Sequence, residues 1–358
     1  MQVNFKNKSN LDFLALELCI PPYAGNDLER RPMNSTVKGF PLIAGHEEVR
    51  NALPHLDICG ALTRMFLALA KDNAVQPPQM LTVFPHGAGD FITYLGAVSD
   101  ARMFGAKLSP HIVTGSKPII TAWTALMSME NGQPLLWCDP GLLTIERTAG
   151  ATALAVDQFA ASGACRLAII GTGAVGQAHL RHLAPLRRWD SISVFSPDLA
   201  RNDAKRAQLI ALDQRVRVCT GTKDCVRDAD VVALCTSSGT PVLVDGMLTR
   251  PALITSISTN VANAHEIPPA WLPVMDVYCD YRKTTPASAG EMRLATQQHD
   301  WSARSVLGDL PELVAGAAPR PAYRHHAFFR SIGLGLEDVA IAYELFRYLS
   351  GQLEQTVT

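Results

Sequence analysis

Between residues 165 and 280 short apolar runs recur along the chain, each following a polar or helix-patterned stretch. The runs at 167–170, 192–195, 216–219, 231–235, 253–257 and 274–279 predict six strands, and their alternation with helical segments suits a doubly wound parallel sheet. Before residue 150 the texture differs. Apolar segments at 81–84, 91–95, 119–126 and 135–138 are separated by Pro and Gly clusters, which predicts a separate α+β domain. The Ala-rich stretch 148–161 has helical spacing and leads from the first domain into the second. After Pro311 the chain reads as loop until residues 335–349, an amphipathic helix expected to return to the first domain. The expected division is therefore 1–148 with 320–358 in one domain and 149–319 in the other.

The strand at 167–170 stops at Gly171-Thr172-Gly173-Ala174-Val175-Gly176 and continues into a helical segment. Strand, glycine turn and helix in that order form the dinucleotide-binding fingerprint. The first glycine permits the turn, the second lets a pyrophosphate approach the backbone, and the third lets helix and strand pack closely. Free N–H groups at the helix N-terminus favour the anion. At the end of the next strand an acidic residue usually holds the ribose 2′-hydroxyl of NAD. Here Ser196 stands there, with Arg201, Lys205 and Arg206 following, so NADP(H) is the preferred cofactor and NAD(H), served by Asp198, the alternative.

Composition narrows the classes. The chain has 358 residues, enough for two domains; 47% are hydrophobic and the formal net charge is −1, which offers no basic field for nucleic acid. Its eight cysteines form no C-x-x-C pair, as expected of reduced thiols in the cytoplasm. No apolar run reaches membrane-spanning length, and the first residues lack a signal-peptide pattern. No Walker loop, nucleophile elbow or His-Glu-x-x-His motif occurs. His179 and His182 lie one helical turn apart but lack a third ligand, so no metal is expected.

The segment Leu143-Thr144-Ile145-Glu146-Arg147-Thr148-Ala149, preceded by Gly132-Gln133-Pro134 and Asp139, joins Gly105-Ala106-Lys107 and the glycine turn in a distinctive order. Further along stand Ala229-Asp230-Val231-Val232, Cys235-Thr236-Ser237-Ser238, Gly290-Glu291-Met292, Leu307-Gly308-Asp309-Leu310 and Ser331-Ile332-Gly333. From about residue 76 to 342 the chain thus resembles the ornithine cyclodeaminase and mu-crystallin family. The resemblance implies a two-domain fold that dimerises through the substrate domain and binds NAD(P)(H) with a small amino or imino acid between the domains. It implies that Arg147 clamps the substrate carboxylate and that Lys107 sits beside that carboxylate and the reacting centre. Thr148 would offer a hydroxyl near cofactor or substrate, or else cap the Ala-rich helix. Thr236, Ser237 and Ser238 would flank the nicotinamide ribose.

Two positions depart from the family pattern. Gln79 follows Pro77-Pro78 where an arginine is usual, leaving Gln79 as the candidate substrate contact. Asn260 ends the run Ser256-Ile257-Ser258-Thr259-Asn260 where cyclodeaminases place an aspartate, and an asparagine cannot accept a proton. The preferred expectation is therefore an NAD(P)H-dependent reductase of small cyclic imino acids of the 1-pyrroline-2-carboxylate or 1-piperideine-2-carboxylate kind. The alternatives are ornithine cyclodeaminase and an NADPH-dependent binder of a small ligand. Glu291 and Asp309 suggest helix capping or ion pairing, a loop hydrogen bond suits His265-Glu266, and Glu337-Asp338 suit the dipole at the start of the last helix.

Overall fold

Two eight-stranded sheets organise the chain, one mostly antiparallel and one wholly parallel. The computed structural model describes residues 40–259 and 263–353. Asn260, Cys19 and the N-terminal residues considered above lie outside the described residues.

The first sheet contains β1 (Leu42–Ala44), β2 (Ala74–Val75), β3 (Met80–Val83), β4 (Gly89–Val98), β5 (Met103–Ile112), β6 (Ile119–Ile120), β7 (Trp123–Ser128) and β8 (Pro134–Cys138). Its main path runs β1-β8-β7-β5-β4-β2. The apolar stretch 119–126 divides into β6 and the start of β7. The second sheet contains β9 (Arg166–Ile170), β10 (Ser191–Phe195), β11 (Val216–Val218), β12 (Val231–Leu234), β13 (Leu253–Ser256), β14 (Asp276–Cys279), β15 (Val306–Asp309) and β16 (Ala327–Arg330), in the order β11-β10-β9-β12-β13-β16-β14-β15. β9, β12 and β13 are almost entirely buried, largely apolar runs, as a sheet covered on both faces requires, whereas β11 at the edge is mostly not buried.

Helices cover the sheets: α1 (His46–Ala52), α2 (Ile58–Ala70), α3 (Gly141–Phe159), α4 (Ala174–Leu183), α5 (Asp203–Leu212), α6 (Thr222–Val226), α7 (Thr285–Ser288), α8 (Gly290–Gln298), α9 (Leu310–Val314) and α10 (Gly335–Leu349). α10 lies on the inner face of the first sheet. That close contact depends on glycine, since a Cβ on Gly335 would stand 2.5 Å from the Leu95 backbone and one on Gly96 2.7 Å from Leu336 Cα. α3 packs against both α2 and α4 and so ties the two sheet systems together.

Four expectations change. The Ala-rich helix begins at Gly141, where Asp139 Oδ1 accepts the Gly141 N–H at 2.8 Å, and not at residue 148. The strand expected at 274–279 starts at Asp276, because Pro269–Val274 forms a 3-10 turn. β15 and β16 are additional, and β16 sits between β13 and β14. Residues 327–330 are therefore in the parallel sheet, beyond the boundary expected at residue 320. Among the described residues no single helix is long and apolar enough to cross a membrane, and no group of three His, Cys, Asp or Glu side chains could hold a metal ion.

Candidate active site

Cross-strand register assembles the first half of the site. Tyr94, Lys107, Thr124 and Cys138 are successive partners across β4, β5, β7 and β8, and opposed residues share a face. Alternation along β5 puts Lys107 on the inner face, under α10, where it is 3% exposed. Its ammonium lies over the Tyr94 ring, 4.2 Å from the centroid, and pairs with Asp338 Oδ2 at 2.6 Å.

Arg147 reaches the same carboxylate from α3. Its Nε donates to Asp338 Oδ1 at 3.1 Å and its Nη1 to Glu337 Oε2 at 3.1 Å. Gly333 closes over the guanidinium with φ of +74°; a Cβ there would stand 2.0 Å from Nη1. Asp280, at the end of β14, holds this loop by accepting the N–H groups of Ile332 at 2.7 Å and Gly333 at 3.0 Å. Gln79 Nε2 donates to Gly333 O at 2.6 Å. Lys107, Arg147 and Gln79 are thus gathered around one loop and the start of α10.

The electrostatics of this cluster are unequal. Burial pushes the Glu337 carboxyl up to about 8 despite Arg147, which favours its protonated form near neutral pH. Burial acts the same way on Asp338, but Arg147 and Lys107 together hold it below the usual carboxylate range. Burial also draws the Lys107 ammonium below its ordinary value, making it a better proton donor. With both cations charged and Glu337 protonated, two positive charges face the single carboxylate of Asp338. Glu337 and Asp338 stand in the first turn of α10, as the dipole favours, and do more than that. Both are buried and accept from Arg147, and Asp338 is also the counter-charge of Lys107; the signal for this in the sequence is an acidic pair flanked on both sides by apolar residues of a buried helix.

Thr148 does not cap a helix. It lies mid-α3, and its hydroxyl donates to Thr144 O at 2.7 Å, one turn back.

The second half of the site lies at the carboxyl ends of β9, β10, β12 and β13. Gly171 has φ of +96°, and a Cβ there would stand 2.4 Å from Cys235 O; one on Gly176 would stand 2.0 Å from Gly171 O. Gly173 faces open space, and as N-cap of α4 it provides no side-chain cap for the N–H groups of Ala174, Val175 and Gly176. An open glycine before an uncapped helix end fits a pyrophosphate. The Thr172 and Ser196 hydroxyls meet at 2.6 Å, and Ser196 donates to Asp198. Lys205 pairs with Asp198 at 2.7 Å, while Arg201 is exposed without an ion pair among the described residues.

Glu266, missed as an organiser, is fully buried and accepts five hydrogen bonds. Thr236 donates N–H and hydroxyl to Oε1 at 2.9 and 2.6 Å; Ser256 Oγ and the N–H groups of Ile257 and Ser258 donate to Oε2 at 2.8–3.1 Å. It thereby fixes the loops after β12 and β13. Ser238 accepts the Ser258 hydroxyl on its carbonyl at 2.7 Å, and Ser237 is exposed.

The remaining candidates are structural. His179 Nδ1 donates to Val175 O at 2.8 Å and Nε2 accepts from Thr152, with burial drawing its pKa down to about 4. Glu291 pairs with buried Arg330 at 2.8 Å, and Asp309 caps α9 in a reciprocal box with Glu312.

Against known proteins, the family model described as ornithine cyclodeaminase/mu-crystallin matches residues 41–351. The chain belongs to that family. An NAD(P)H-dependent anabolic L-arginine dehydrogenase of Pseudomonas aeruginosa is 52% identical over 308 residues, covering 86% of this chain and 97% of that protein. The ketimine reductase mu-crystallin of Rattus norvegicus is 25% identical over 63% of this chain and 68% of its own length. Among solved structures, a probable ornithine cyclodeaminase of Bordetella pertussis superposes with a TM-score of 0.78 at 25% identity, covering 87% of this chain and 98% of that one. With the glycine turn intact, this member of the ornithine cyclodeaminase/mu-crystallin family is an NAD(P)-dependent oxidoreductase.

Proposed function

We propose that the chain reduces a 2-imino acid to the amino acid with NAD(P)H, and that its substrate is the linear imine of a guanidino 2-oxo acid. A buried pair of cations sharing one carboxylate carries the general reading: Lys107 and Arg147 converge on Asp338, and with Glu337 protonated one positive charge is left over. A substrate carboxylate supplies the missing negative charge, and the arginine fork suits it geometrically. The 52% identity to the L-arginine dehydrogenase favours the guanidino side chain.

Arg147 and Lys107 hold the carboxylate, and the Gly333 loop keeps Arg147 in place. NAD(P)H, when bound at the glycine turn, would supply the hydride that the imine carbon needs. Lys107 Nζ, made acidic by burial, gives its proton to the imine nitrogen, so that the C=N bond becomes CH–NH. Gly171 to Gly176 would hold the pyrophosphate, Thr236 to Ser238 would flank the nicotinamide ribose, and Ser196 with Arg201 would meet the 2′-position.

NADPH and NADH oxidation should be followed with 5-guanidino-2-oxopentanoate plus ammonia and, separately, with 1-piperideine-2-carboxylate. Faster turnover of the guanidino acid is expected; faster turnover of the cyclic imine would favour the cyclic ketimine reading, which the mu-crystallin similarity supports.

The outer face of the first sheet supports pairing with a second copy. Leu95, Phe104, Leu108, Trp123 and Trp137 are exposed there, the two tryptophans stacked at 6.0 Å, a contiguous apolar surface unusual for a monomer. Light scattering should give twice the chain mass; a monomer at micromolar concentration would remove this part of the proposal.

A further inference from the structure

Glu146 precedes Arg147 in α3, about 100° round the helix, and turns toward α4 instead of α10. There it organises a second polar cluster that the proposed reaction does not use. Glu146 Oε2 accepts from His182 Nε2 at 2.7 Å, and Arg181 pairs with the other oxygen. The opposite edge of the same imidazole, Nδ1, stands 3.7 Å from Cys59 Sγ. Cys59 is the second residue of α2, a thirteen-residue helix, so the positive end of the dipole adds to the field at the sulfur. Although burial opposes it, the contacts with Cys59 and Glu146 carry His182 up to about 9, and both ring nitrogens are donors at neutral pH.

Negative charge on the Cys59 sulfur therefore faces an imidazolium N–H and a helix N-terminus, the surroundings that make a thiol nucleophilic. The other described cysteines lack this combination. Cys138, Cys219, Cys225, Cys235 and Cys279 are buried. Cys165 is half-buried like Cys59, but Asp190 beside it pushes its thiol up. Among the described residues, Cys59 alone is both accessible and in hydrogen-bond contact with a cation.

We propose that Cys59 is a peroxide-reactive thiol, oxidised reversibly to the sulfenic acid with His182 as its charge partner. The sulfur attacks one peroxide oxygen, an S–O bond forms and the O–O bond breaks. Sulfur gives up two electrons and peroxide takes them, leaving as hydroxide, which the His182 Nδ1 proton converts to water. The product is Cys59–SOH.

The test uses the full-length chain at pH 7 with dilute hydrogen peroxide, dimedone trapping and peptide mapping. Labelling of Cys59 should run roughly tenfold or more ahead of Cys165, in line with activation by a cationic neighbour. His182→Asn should slow Cys59 about tenfold while Cys165 is unaffected and the buried Cys235 and Cys279 stay protected. If the variant unfolds, Cys235 and Cys279 become labelled, and the wild-type ratio of Cys59 to Cys165 decides alone. Equal labelling of Cys59 and Cys165 in the wild type, or an unchanged Cys59 rate in folded His182→Asn, would overturn the proposal.

Discussion

Neutralising Glu337 permanently should remove a pH limit on substrate binding. With its carboxyl held up to about 8, the Lys107–Arg147–Asp338–Glu337 cluster is positive by one charge at pH 7 and electrically balanced at pH 9. If the ligand carboxylate requires the protonated form, the apparent Kd scales as 1 + 10^(pH − 8). That factor is about 1.1 at pH 7 and about 11 at pH 9, so affinity falls about tenfold, or about 1.4 kcal/mol. The variant Glu337→Gln keeps an oxygen to accept from Arg147 Nη1 but cannot ionise. Titration calorimetry of the NADPH complex with 2-oxopentanoate, without ammonia, avoids titration of a substrate amine. Wild type should lose about tenfold in affinity between pH 7 and 9, while Glu337→Gln stays nearly flat. A wild-type curve without the rise, or the same rise and midpoint in the variant, would refute the reasoning; the second result would transfer the titration to Lys107.

The same substitution bears on stability. A carboxyl raised in the folded state gives stability that is full below the unfolded value of 4.5 and declines as pH rises through about 8, so Glu337→Gln and wild type should melt alike near pH 4.5 and diverge in the variant's favour by pH 8. Gly173→Ala, into open space, should leave Tm near wild type while cofactor affinity drops roughly tenfold or more, whereas Gly176→Ala, 2.0 Å from Gly171 O, should lose both. Equal effects of the two would refute the pyrophosphate assignment. Glu266→Ala strands five donors and should cost about 3–4 kcal/mol in denaturant unfolding; a loss under about 1 would show that the loops hold without it. Arg201→Ala should raise the KM for NADPH about tenfold and leave NADH unchanged, and equal changes would remove Arg201 from the 2′-phosphate.

The parallel sheet was legible wherever information is local. Glycine turn, apolar runs and intervening helices mark β9 to β13, because each strand is a short apolar run between turn residues, and β9, β12 and β13 are continuous buried stretches. β16 was not legible. Its four residues, Ala327 to Arg330, follow a turn-rich stretch and take their central place only by pairing with β13 and β14, far away in sequence. At the site, Lys107, Arg147 and the glycine turn stood out by residue type and order. Their counter-charges did not, because an acidic pair in a first helical turn has a sufficient local explanation in the dipole. Only the approach of α10 through Gly335 and Gly96 turns Glu337 and Asp338 into partners of the cations. Glu266 and Asp280 were hidden likewise, since a carboxylate that gathers backbone N–H groups from separate loops has no fixed sequence spacing.

Net redox change decides between imino-acid reduction and cyclodeamination most directly. Purified protein should oxidise NADPH in step with amino acid formed from 5-guanidino-2-oxopentanoate and ammonia, one equivalent for each product molecule. Proline and ammonia appearing from ornithine with catalytic cofactor, and no net NADPH oxidation with the oxo acid, would contradict the reductase assignment.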